Sequence, residues 1–371
     1  MNPMRILHSN TEKTWRGGEQ QVLYLMRGLA ERGHENILAA PPGSEIVKRT
    51  TADICGEVQE IPFRGEWDLV SAYRLFNLAR KTQPHVLHAH TSKAHTMGVL
   101  VKTLFGLKIP LLVSRRVCFP IKNHGLNRWK YGNVDCFLPI SKAVQHELVS
   151  FGIPQEKCRL VNSSIDLSRF RGASAHKPRK EFSIKEDDLV IGNMAFCDAV
   201  KSQTTILNAA RIVLQNHPRA HFFIVGDGPL KEDLKTRARE LGIQDRVHIP
   251  GFRREIKDFL KLFDIFVMVP TMEGLGSAIL EAEALSLPIV ATSVGGIPEI
   301  VKDKRNGFLI PCEDENALAH ALSRLIESQA LRMKMGEESY RMLCQAFTTD
   351  TMINKTEAVY KEFLTRNDCD R

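Results

Sequence analysis

The sequence predicts an α/β protein built from two doubly wound Rossmann-like domains that face each other across a cleft. At 371 residues, the chain is too long for one ordinary hydrophobic core, so two domains are expected. Short β-rich segments alternate with helical patterns in both halves, which is typical of parallel sheets with helices on both faces. Ligands of such sheets bind near the carboxyl ends of the strands.

The first half, residues 1–170, is predicted to alternate regularly between strands and helices. Its predicted strands are 4–8, 35–40, 85–89, 109–114, 135–140 and 158–162. Its predicted helices are 18–32, 68–82, 93–105 and 141–151. The alternation breaks near Asn162–Asp166, and the segment Arg171–Lys180, which is rich in Ala, Ser, Lys and Pro, is interpreted as a linker.

The second half, residues 171–350, repeats this plan. Strands are predicted at 190–194, 221–225 and 246–249, with helices at 203–216 and 230–241. The pattern continues through the segments 255–262, 264–269, 277–286, 288–291, 296–302, 308–310 and 315–328. A final helical stretch, assigned to a third segment at 351–371, is expected after Phe347 and as far as about Arg366.

The composition is that of a globular protein, with 43% hydrophobic and 25% charged residues. No apolar run reaches the roughly 18–20 residues of a membrane-spanning helix, and no signal-peptide pattern opens the chain. The eight cysteines are scattered without a CxxC pair, which indicates free thiols rather than a disulfide frame or a zinc site. We therefore expect a cytoplasmic protein.

The positive charge is concentrated in the first half of the chain. Residues 1–170 contain 23 Lys and Arg against 14 Asp and Glu, whereas the whole chain carries a net charge of +8. A basic half indicates an anionic partner, which could be a phosphorylated substrate, an anionic lipid surface or a nucleic acid. No recognisable nucleic-acid-binding module is present, and only three Trp and five Tyr are available for stacking on bases.

The most informative motif is Glu273-Gly-Leu-Gly-Ser277, which follows a strand-like run and is followed by Glu281. A strand, a glycine turn and a helix start together present free backbone N–H groups to an anion such as a phosphate. The two carboxylates could hold sugar hydroxyls, because ionised carboxylates are hydrogen-bond acceptors only. The motif therefore suggests a nucleotide sugar as ligand.

Three strand ends in the first half carry further candidates. Gly17 and Gly18 lie between a strand and a helix, where they are either phosphate contacts or a plain turn. His90 ends another strand and is either catalytic or structural; metal binding is less expected, since no third ligand stands at a suitable spacing. Arg115 and Arg116 end a third strand.

A basic, partly aromatic loop follows these arginines. It is interpreted either as a solvated loop or as a contact with an anionic acceptor or membrane surface, through Arg115, Lys122, Arg128, Trp129 and Lys130.

The second half offers a lysine and further glycine turns. Lys201 precedes a helix, where the helix dipole disfavours a cation unless a pyrophosphate is bound. Gly226 and Gly228 fail the dinucleotide fingerprint, because Lys231 holds the third glycine position, so they are expected near the base or ribose of a ligand. The turn Val294–Glu299 is as consistent with structure as with phosphate contact. The only Asp-x-Asp pair ends at Asp370, in the tail, so no metal and no cofactor are predicted.

Taken together, these residues resemble the retaining glycosyltransferases of family 4, which have the GT-B fold. The resemblance covers nearly the whole chain, and its most specific part is the pair Glu273 and Glu281 within the segment 270–282. Gly17-Gly18, Lys201, Val225–Pro229 and the turn at 295–299 stand where the family has its own versions. The pattern Ser-Arg-Arg-Val with a later Phe-Pro more weakly resembles transferases acting on lipopolysaccharide or other cell-surface glycans.

The resemblance implies specific roles in the binding of a donor substrate. Glu281 would bind the ribose hydroxyls, Glu273 the hydroxyls of the transferred sugar, and Lys201 the pyrophosphate. Gly17, Gly18 and the backbone of Leu275, Gly276 and Ser277 would surround the phosphates and the sugar. Gly226, Gly228 and Gly274 are also assigned to donor binding. The first domain would bind the acceptor, and the last helix would cross back to it.

Two positions depart from the family pattern. The family usually has an arginine five residues before the lysine, and Phe196 stands there. A strand-end histidine of the family is replaced by Arg116, so we hypothesise that Arg116 supplies the missing pyrophosphate cation.

The resemblance implies transfer of a hexose from a nucleoside diphosphate, by family habit uridine diphosphate, to a hydroxyl of a lipid-linked glycan. The reaction would be metal-independent and would retain the anomeric configuration, with the protein attached peripherally at the inner face of the plasma membrane. A nucleotide-sugar epimerase of the same fold and a non-catalytic nucleotide-sugar or glycan-binding protein remain alternatives.

Overall fold

The computed structural model of the protein describes residues 3–369. The chain forms two compact units. Unit 1 contains the residues up to Ser164 and those from Thr349 onward, and unit 2 contains Ile165–Thr348. The sequence-based boundary at 170/171 lies six residues beyond the point at which the structure divides.

Unit 1 is built on a six-stranded parallel sheet in the order β3-β2-β1-β4-β5-β6. Its strands are β1 Arg5–Ser9, β2 Glu35–Ala40, β3 Glu57–Glu60, β4 Val86–Ala89, β5 Leu111–Arg115 and β6 Cys136–Pro139. Strand order reverses between β1 and β4, and ligands of doubly wound sheets bind at such a switch point.

Helices connect these strands. They are α1 Gly17–Glu31, α2 Glu45–Arg49, α3 Leu69–Thr82, α4 Ser92–Thr103, α5 Gly125–Gly132 and α6 Lys142–Ser150, with α15 Thr349–Cys369 joining from the end of the chain. α15 packs against α1. The close approach depends on Gly28, since a Cβ there would lie 2.0 Å from Cδ1 of Ile353.

Unit 2 is built on a second six-stranded parallel sheet in the order β12-β11-β10-β7-β8-β9. Its strands are β7 Val190–Met194, β8 His221–Val225, β9 Val247–Gly251, β10 Ile265–Met268, β11 Ile289–Thr292 and β12 Gly307–Ile310. The switch point of this sheet lies between β7 and β10.

The helices of unit 2 complete the alternation. They are α7 His176–Glu181, α8 Gln203–Asn216, α9 Lys231–Glu240, α10 Ile256–Leu262, α11 Ser277–Glu283, α12 Ile297–Ile300, α13 Glu315–Glu327 and α14 Gln329–Ala346. The inner strands β8, β10 and β11 are buried along their whole length, as expected for parallel strands covered on both faces.

The predicted α/β class with two parallel sheets is confirmed, and the differences lie in weakly patterned segments. The predicted strand 158–162 is wrong, because Cys158 forms only a single bridge to Phe137. The predicted linker at 171–180 contains α7. β3 was missed because its sequence Glu-Val-Gln-Glu is polar and largely exposed.

Candidate active site

The predicted site residues of unit 1 gather at the carboxyl edge of its sheet. Gly17 and Gly18 open α1 after β1, and His90 follows β4. Arg115 ends β5, and Arg116 comes next. A Cβ built on Gly18 would lie 3.6 Å from Cδ of Arg116. The fold therefore brings these separate sequence motifs to one edge of the sheet, on both sides of the switch point.

His90 belongs to a buried cluster with His8 and His88. Nδ1 of His8 and Nε2 of His90 are 3.0 Å apart, and Nε2 of His8 is 3.0 Å from Oδ1 of Asn36. Burial lowers the pKa of His8 to about 4 and holds the pKa of His90 well below 6.5. At neutral pH these rings are therefore uncharged.

His88 connects the cluster to the last helix. Its Nδ1 lies 2.6 Å from the hydroxyl of Tyr360 on α15, and its Nε2 lies 2.8 Å from Oγ of Ser114. Burial also holds the pKa of His88 well below 6.5. Both ring nitrogens of His88 thus have partners.

The expectation that His90 lacks a third metal ligand is wrong. One ring nitrogen from each of His8, His88 and His90 lies within 4.8 Å of the other two. The sequence could not reveal this, because His8 is 82 residues from His90 along the chain. A metal ion bound here would have to break the hydrogen bond between His8 and His90. The nearby Arg116 cation would also repel it, so we propose no metal site here.

The two arginines are placed differently. Arg115 donates from one terminal nitrogen to the hydroxyl of Tyr131 at 2.8 Å and from the other to the carbonyl oxygen of Phe119 at 2.6 Å. Burial lowers the pKa of Arg116 to about 10, and Glu19 opposes this shift. Arg116 therefore remains a cation at neutral pH.

The basic loop corrects one prediction. Lys130 is buried, and its Nζ donates to Oε1 of Glu66 at 2.7 Å, so it presents no charge to a membrane. Trp129 is half-buried and stacks on Trp67, with ring centroids 6.2 Å apart. Lys122 and Arg128 are exposed, as a surface contact requires.

In unit 2, the structure joins Lys201 and Glu273 in an ion pair. Nζ of Lys201 lies 2.6 Å from Oε2 of Glu273, and the two side chains are 23% and 16% exposed, respectively. The loop after β7, which carries Lys201, contacts the loop after β10, which carries Glu273. Lys201 ends a 3₁₀ turn that Asp198 caps, and the N–H of Thr271 donates to the carbonyl of Val200 at 2.8 Å.

Glu281 lies on α11 and faces a cation that the sequence analysis did not identify. Nη1 of Arg169 is 3.7 Å from Oε1 of Glu281. Burial raises the pKa of Glu281, and the Arg169 cation partly opposes that shift. Arg169 lies in a 3₁₀ helix, Leu167–Phe170, more than a hundred residues earlier, and only the fold reveals the contact.

The glycine turns of unit 2 pack backbone against backbone. A Cβ on Gly226 would lie 1.9 Å from the carbonyl oxygen of Ala195, and one on Gly228 would lie 2.3 Å from that of Cys197. Both glycines have a positive φ. These contacts hold together the loops that follow β7 and β8.

The glycine loop at 295–296 supports Glu273 directly. Gly295 has a φ of +52°, and a Cβ on it would lie 1.8 Å from the carbonyl oxygen of Glu273. The N–H of Gly296 donates to the same oxygen at 3.2 Å. Gly276, with a φ of +102°, directly precedes α11, which begins at Ser277, and Gly274 and Leu275 lie in the loop before it. The turn at 294–299 therefore has a structural role in holding the Glu273 backbone.

Comparison with known families follows this division of the chain. Residues 15–169 match the family described as Glycosyltransferase Family 4, and residues 175–342 match Glycosyl transferases group 1. The fold and these two matches define a glycosyltransferase of the GT-B class. More narrowly, the chain belongs to glycosyltransferase family 4, and the resemblance found in its sequence is confirmed.

Two curated relatives cover much of the chain. The lipopolysaccharide core biosynthesis glycosyltransferase LpsE of Rhizobium meliloti is 25% identical over 94% of this chain and 96% of its own length. The UDP-Gal:alpha-D-GlcNAc-diphosphoundecaprenol alpha-1,3-galactosyltransferase of Escherichia coli is 24% identical over 79% of each chain.

Solved structures show the same fold. Anabaena HepE in complex with UDP superimposes with a TM-score of 0.85 and 18% identity, over 97% of this chain and all of the other. No helix in the described part of the protein is long and apolar enough to cross a membrane. Each cysteine whose side chain is described is a free thiol.

Proposed function

We propose that the protein is a retaining hexosyltransferase that uses a nucleoside-diphosphate sugar, preferentially a UDP-sugar, and a lipid-linked or cell-surface glycan acceptor, without a metal. The Lys201–Glu273 pair carries this proposal, because it places a cation and a sugar-binding carboxylate 2.6 Å apart at the carboxyl edge of one sheet. The UDP complex of HepE and the UDP-galactose named for the E. coli relative support the choice of donor.

Each donor residue has a role in this proposal. Lys201 turns from Glu273 to the pyrophosphate, and Glu273 then accepts hydrogen bonds from the hydroxyls of the transferred sugar. Glu281 accepts hydrogen bonds from the ribose hydroxyls. The pair thus exchanges one internal ion pair for two contacts with substrate, and each partner keeps a compensating charge or hydrogen bond.

The chemical step needs no side-chain nucleophile. The bond from the anomeric carbon to the diphosphate oxygen breaks, and the acceptor oxygen bonds to the same face of that carbon through an oxocarbenium-like state. The acceptor's hydroxyl proton passes to the departing phosphate oxygen. The protein contributes orientation and charge stabilisation of the leaving diphosphate.

The test is release of nucleoside diphosphate from a panel of nucleotide sugars, with chelator present, with and without a lipid-glycan extract. Acceptor-dependent release from one donor, lost in Glu273→Ala, supports the transferase. NMR of the product's anomeric proton decides between retention and inversion. Donor binding without release from any donor, in the presence of the extract, would support a binding protein. Conversion of a sugar nucleotide without acceptor would support an epimerase.

An anionic membrane surface is the partner we propose for unit 1. Five large apolar side chains, between 47 and 66% exposed, form the surface that we name the aromatic patch: Trp67, Leu69, Val70, Tyr73 and Leu104. The ring centroids of Tyr73 and Phe105 are 5.6 Å apart. This contact joins the residues of the patch on α3 to Leu104, which follows α4.

The surroundings of the aromatic patch favour lipid. Exposed Arg64, Arg74 and Lys108 are close to it in sequence, and each basic residue near an anionic bilayer contributes about 1 kcal/mol. Trp and Tyr are suited to the interfacial region of a bilayer. We therefore place the protein peripherally on an anionic membrane, with Lys122 and Arg128 as further contacts.

A further inference from the structure

Unit 1 contains a cavity of about 330 Å³ at the carboxyl edge of its sheet. This volume is at the lower end of the roughly 300–1,000 Å³ range of small-molecule sites. Gly18, His90, Arg115 and Arg116 are among its lining residues.

Polar atoms without partners are concentrated in this cavity. Among the side chains that the structure describes, nine buried nitrogen or oxygen atoms have no hydrogen-bond partner, and three of them belong to residues that line this cavity. They are Nδ1 of His90, Nε of Arg115 and Nε of Arg116. Because a buried polar group without a partner costs about 1–3 kcal/mol, their convergence indicates that a ligand completes them.

The charge of the cavity selects an anion. Neither Arg115 nor Arg116 forms an ion pair with a carboxylate of the described chain. The buried Glu19 is occupied, since it accepts hydrogen bonds from the N–H of Arg16 at 3.0 Å and from Nδ2 of Asn10 at 3.4 Å. Glu12 also lines the cavity, but no carboxylate pairs with Arg116, so the Arg116 guanidinium, together with Nε of Arg115, is available to a phosphate or carboxylate.

The tautomer of His90 selects a second group on the ligand. Nδ2 of Asn36 donates to two backbone carbonyls, at 2.7 and 2.8 Å, so its Oδ1 accepts the proton on Nε2 of His8. The uncharged His8 then has a lone pair on Nδ1, which accepts the proton on Nε2 of His90. Nδ1 of His90 is consequently an acceptor and requires a hydroxyl or N–H donor.

We infer that this cavity binds an acidic sugar residue of the acceptor, with its phosphate or carboxylate on Arg115 and Arg116 and a hydroxyl donating to Nδ1 of His90. The inference rests on the proposed transferase function. It assigns Arg116 to the acceptor, whereas the sequence analysis assigned Arg116 to the donor pyrophosphate; the effect of Arg116 substitution on UDP binding decides between the two. His90 acts as a positioning residue, since a ring with so low a pKa accepts a hydrogen bond without becoming a base at neutral pH.

The test measures binding of glucose, glucuronic acid and glucose 6-phosphate to the full chain by calorimetry, with UDP as a separate ligand. Either acidic sugar should bind at least about 10-fold more tightly than glucose, and the stronger of the two identifies carboxylate or phosphate. Arg116→Gln should weaken the binding of that acidic sugar by about 10- to 100-fold and should leave the dissociation constant of UDP unchanged. Arg27→Gln, which removes an exposed arginine of the same unit, should change neither.

Several results separate this inference from the proposed function. The inference is overturned if all three sugars bind equally well or if neither acidic sugar binds. It is also overturned if Arg116→Gln weakens the binding of UDP and leaves the binding of the acidic sugar unchanged. Loss of UDP binding in Glu281→Gln with retained acidic-sugar binding supports it and tests the donor site separately. Arg116→Lys, which keeps the charge, controls for misfolding. This variant should melt at the same temperature as the unsubstituted protein, and its affinity for the acidic sugar should lie between those of the unsubstituted protein and Arg116→Gln.

Discussion

Lys201 and Glu273, 72 residues apart in sequence, form an ion pair with their charged atoms 2.6 Å apart. The pair joins the loop after β7 to the loop after β10, on the two sides of the switch point in the sheet of unit 2. Because both side chains are mostly buried, the cost of removing the two charges from water offsets much of their attraction. Its position therefore points to function more than to stability.

Replacement of Glu273 separates these two contributions. Glu273→Gln should lower kcat by about 100- to 1,000-fold, because the transition state loses a preorganised charged contact, and should also lower the melting temperature, because the mostly buried Lys201 loses its carboxylate partner. Nucleoside-diphosphate release and thermal melting measure the two effects. Glu232→Gln, in the exposed pair with Lys235, is the matched control and should leave kcat unchanged. A Glu273→Gln enzyme with full kcat would contradict the assignment.

Gly295→Ala should displace the backbone that carries Glu273. The added Cβ would meet the carbonyl oxygen of Glu273 at 1.8 Å in a residue whose φ is positive. We expect a loss of about 2–4 kcal/mol in the free energy of unfolding, together with weaker donor binding. Denaturant titration and UDP calorimetry provide the measurements.

Gly242→Ala is the control for this substitution. Gly242 also has a positive φ, but no atom would lie within 4 Å of its Cβ, so it should lose only about 1–2 kcal/mol from backbone strain. Equal losses in both variants would show that contact with the Glu273 carbonyl contributes nothing.

Acid should destabilise the protein through its buried histidine cluster. The folded-state pKa of His8 is about 4 and its ordinary value is 6.5, so the unfolded chain binds the proton more tightly. The stabilisation is complete above pH 6.5 and is lost as the pH falls towards 4, by roughly 3 kcal/mol for His8 alone. His88 and His90, whose pKa values are also lowered, should add to the slope.

Denaturant titration between roughly pH 7.5 and 4.5 measures this effect. The range covers most of the interval between the ordinary pKa of histidine and the folded-state pKa of His8. His8→Asn should flatten the pH dependence, and His176→Gln, at an exposed position, should leave it as in the unsubstituted protein. An unchanged slope in His8→Asn would contradict the assignment of the acid sensitivity to this cluster.

The aromatic patch predicts binding to anionic vesicles. The double substitution of Leu69 and Val70 by Ser should release the protein from phosphatidylglycerol vesicles in a sedimentation assay, because both side chains lose their apolar contact. Binding should also weaken with added salt, since Arg64 and Arg74 contribute by charge. Met333→Ser, at a comparably exposed position on α14, should bind normally. Salt-independent binding, or self-association of the free protein through the patch, would contradict the proposal.

Much of the fold could be predicted from local patterns, and much of the site could not. β7, α8 and β8 match their predicted bounds because their apolar residues follow a clear period. The loops carrying Lys201 and Glu273 were found from glycine turns and charge. The sequence analysis did not identify the roles of Arg169 and His8 or the burial of Lys130 against Glu66. Each of these depends on a contact between residues far apart in sequence, and composition does not record such contacts.

The return of α15 to unit 1 has a consequence for synthesis of the chain. Unit 2 is one continuous stretch, so all of its residues have been synthesised before α15 is made. Unit 1 still lacks Tyr360, which lies fully buried against His88, until α15 has been synthesised. In a chain truncated after Thr348, we therefore expect unit 2 to be protease-resistant and unit 1 to remain protease-sensitive, although unit 1 contains the residues that are synthesised first.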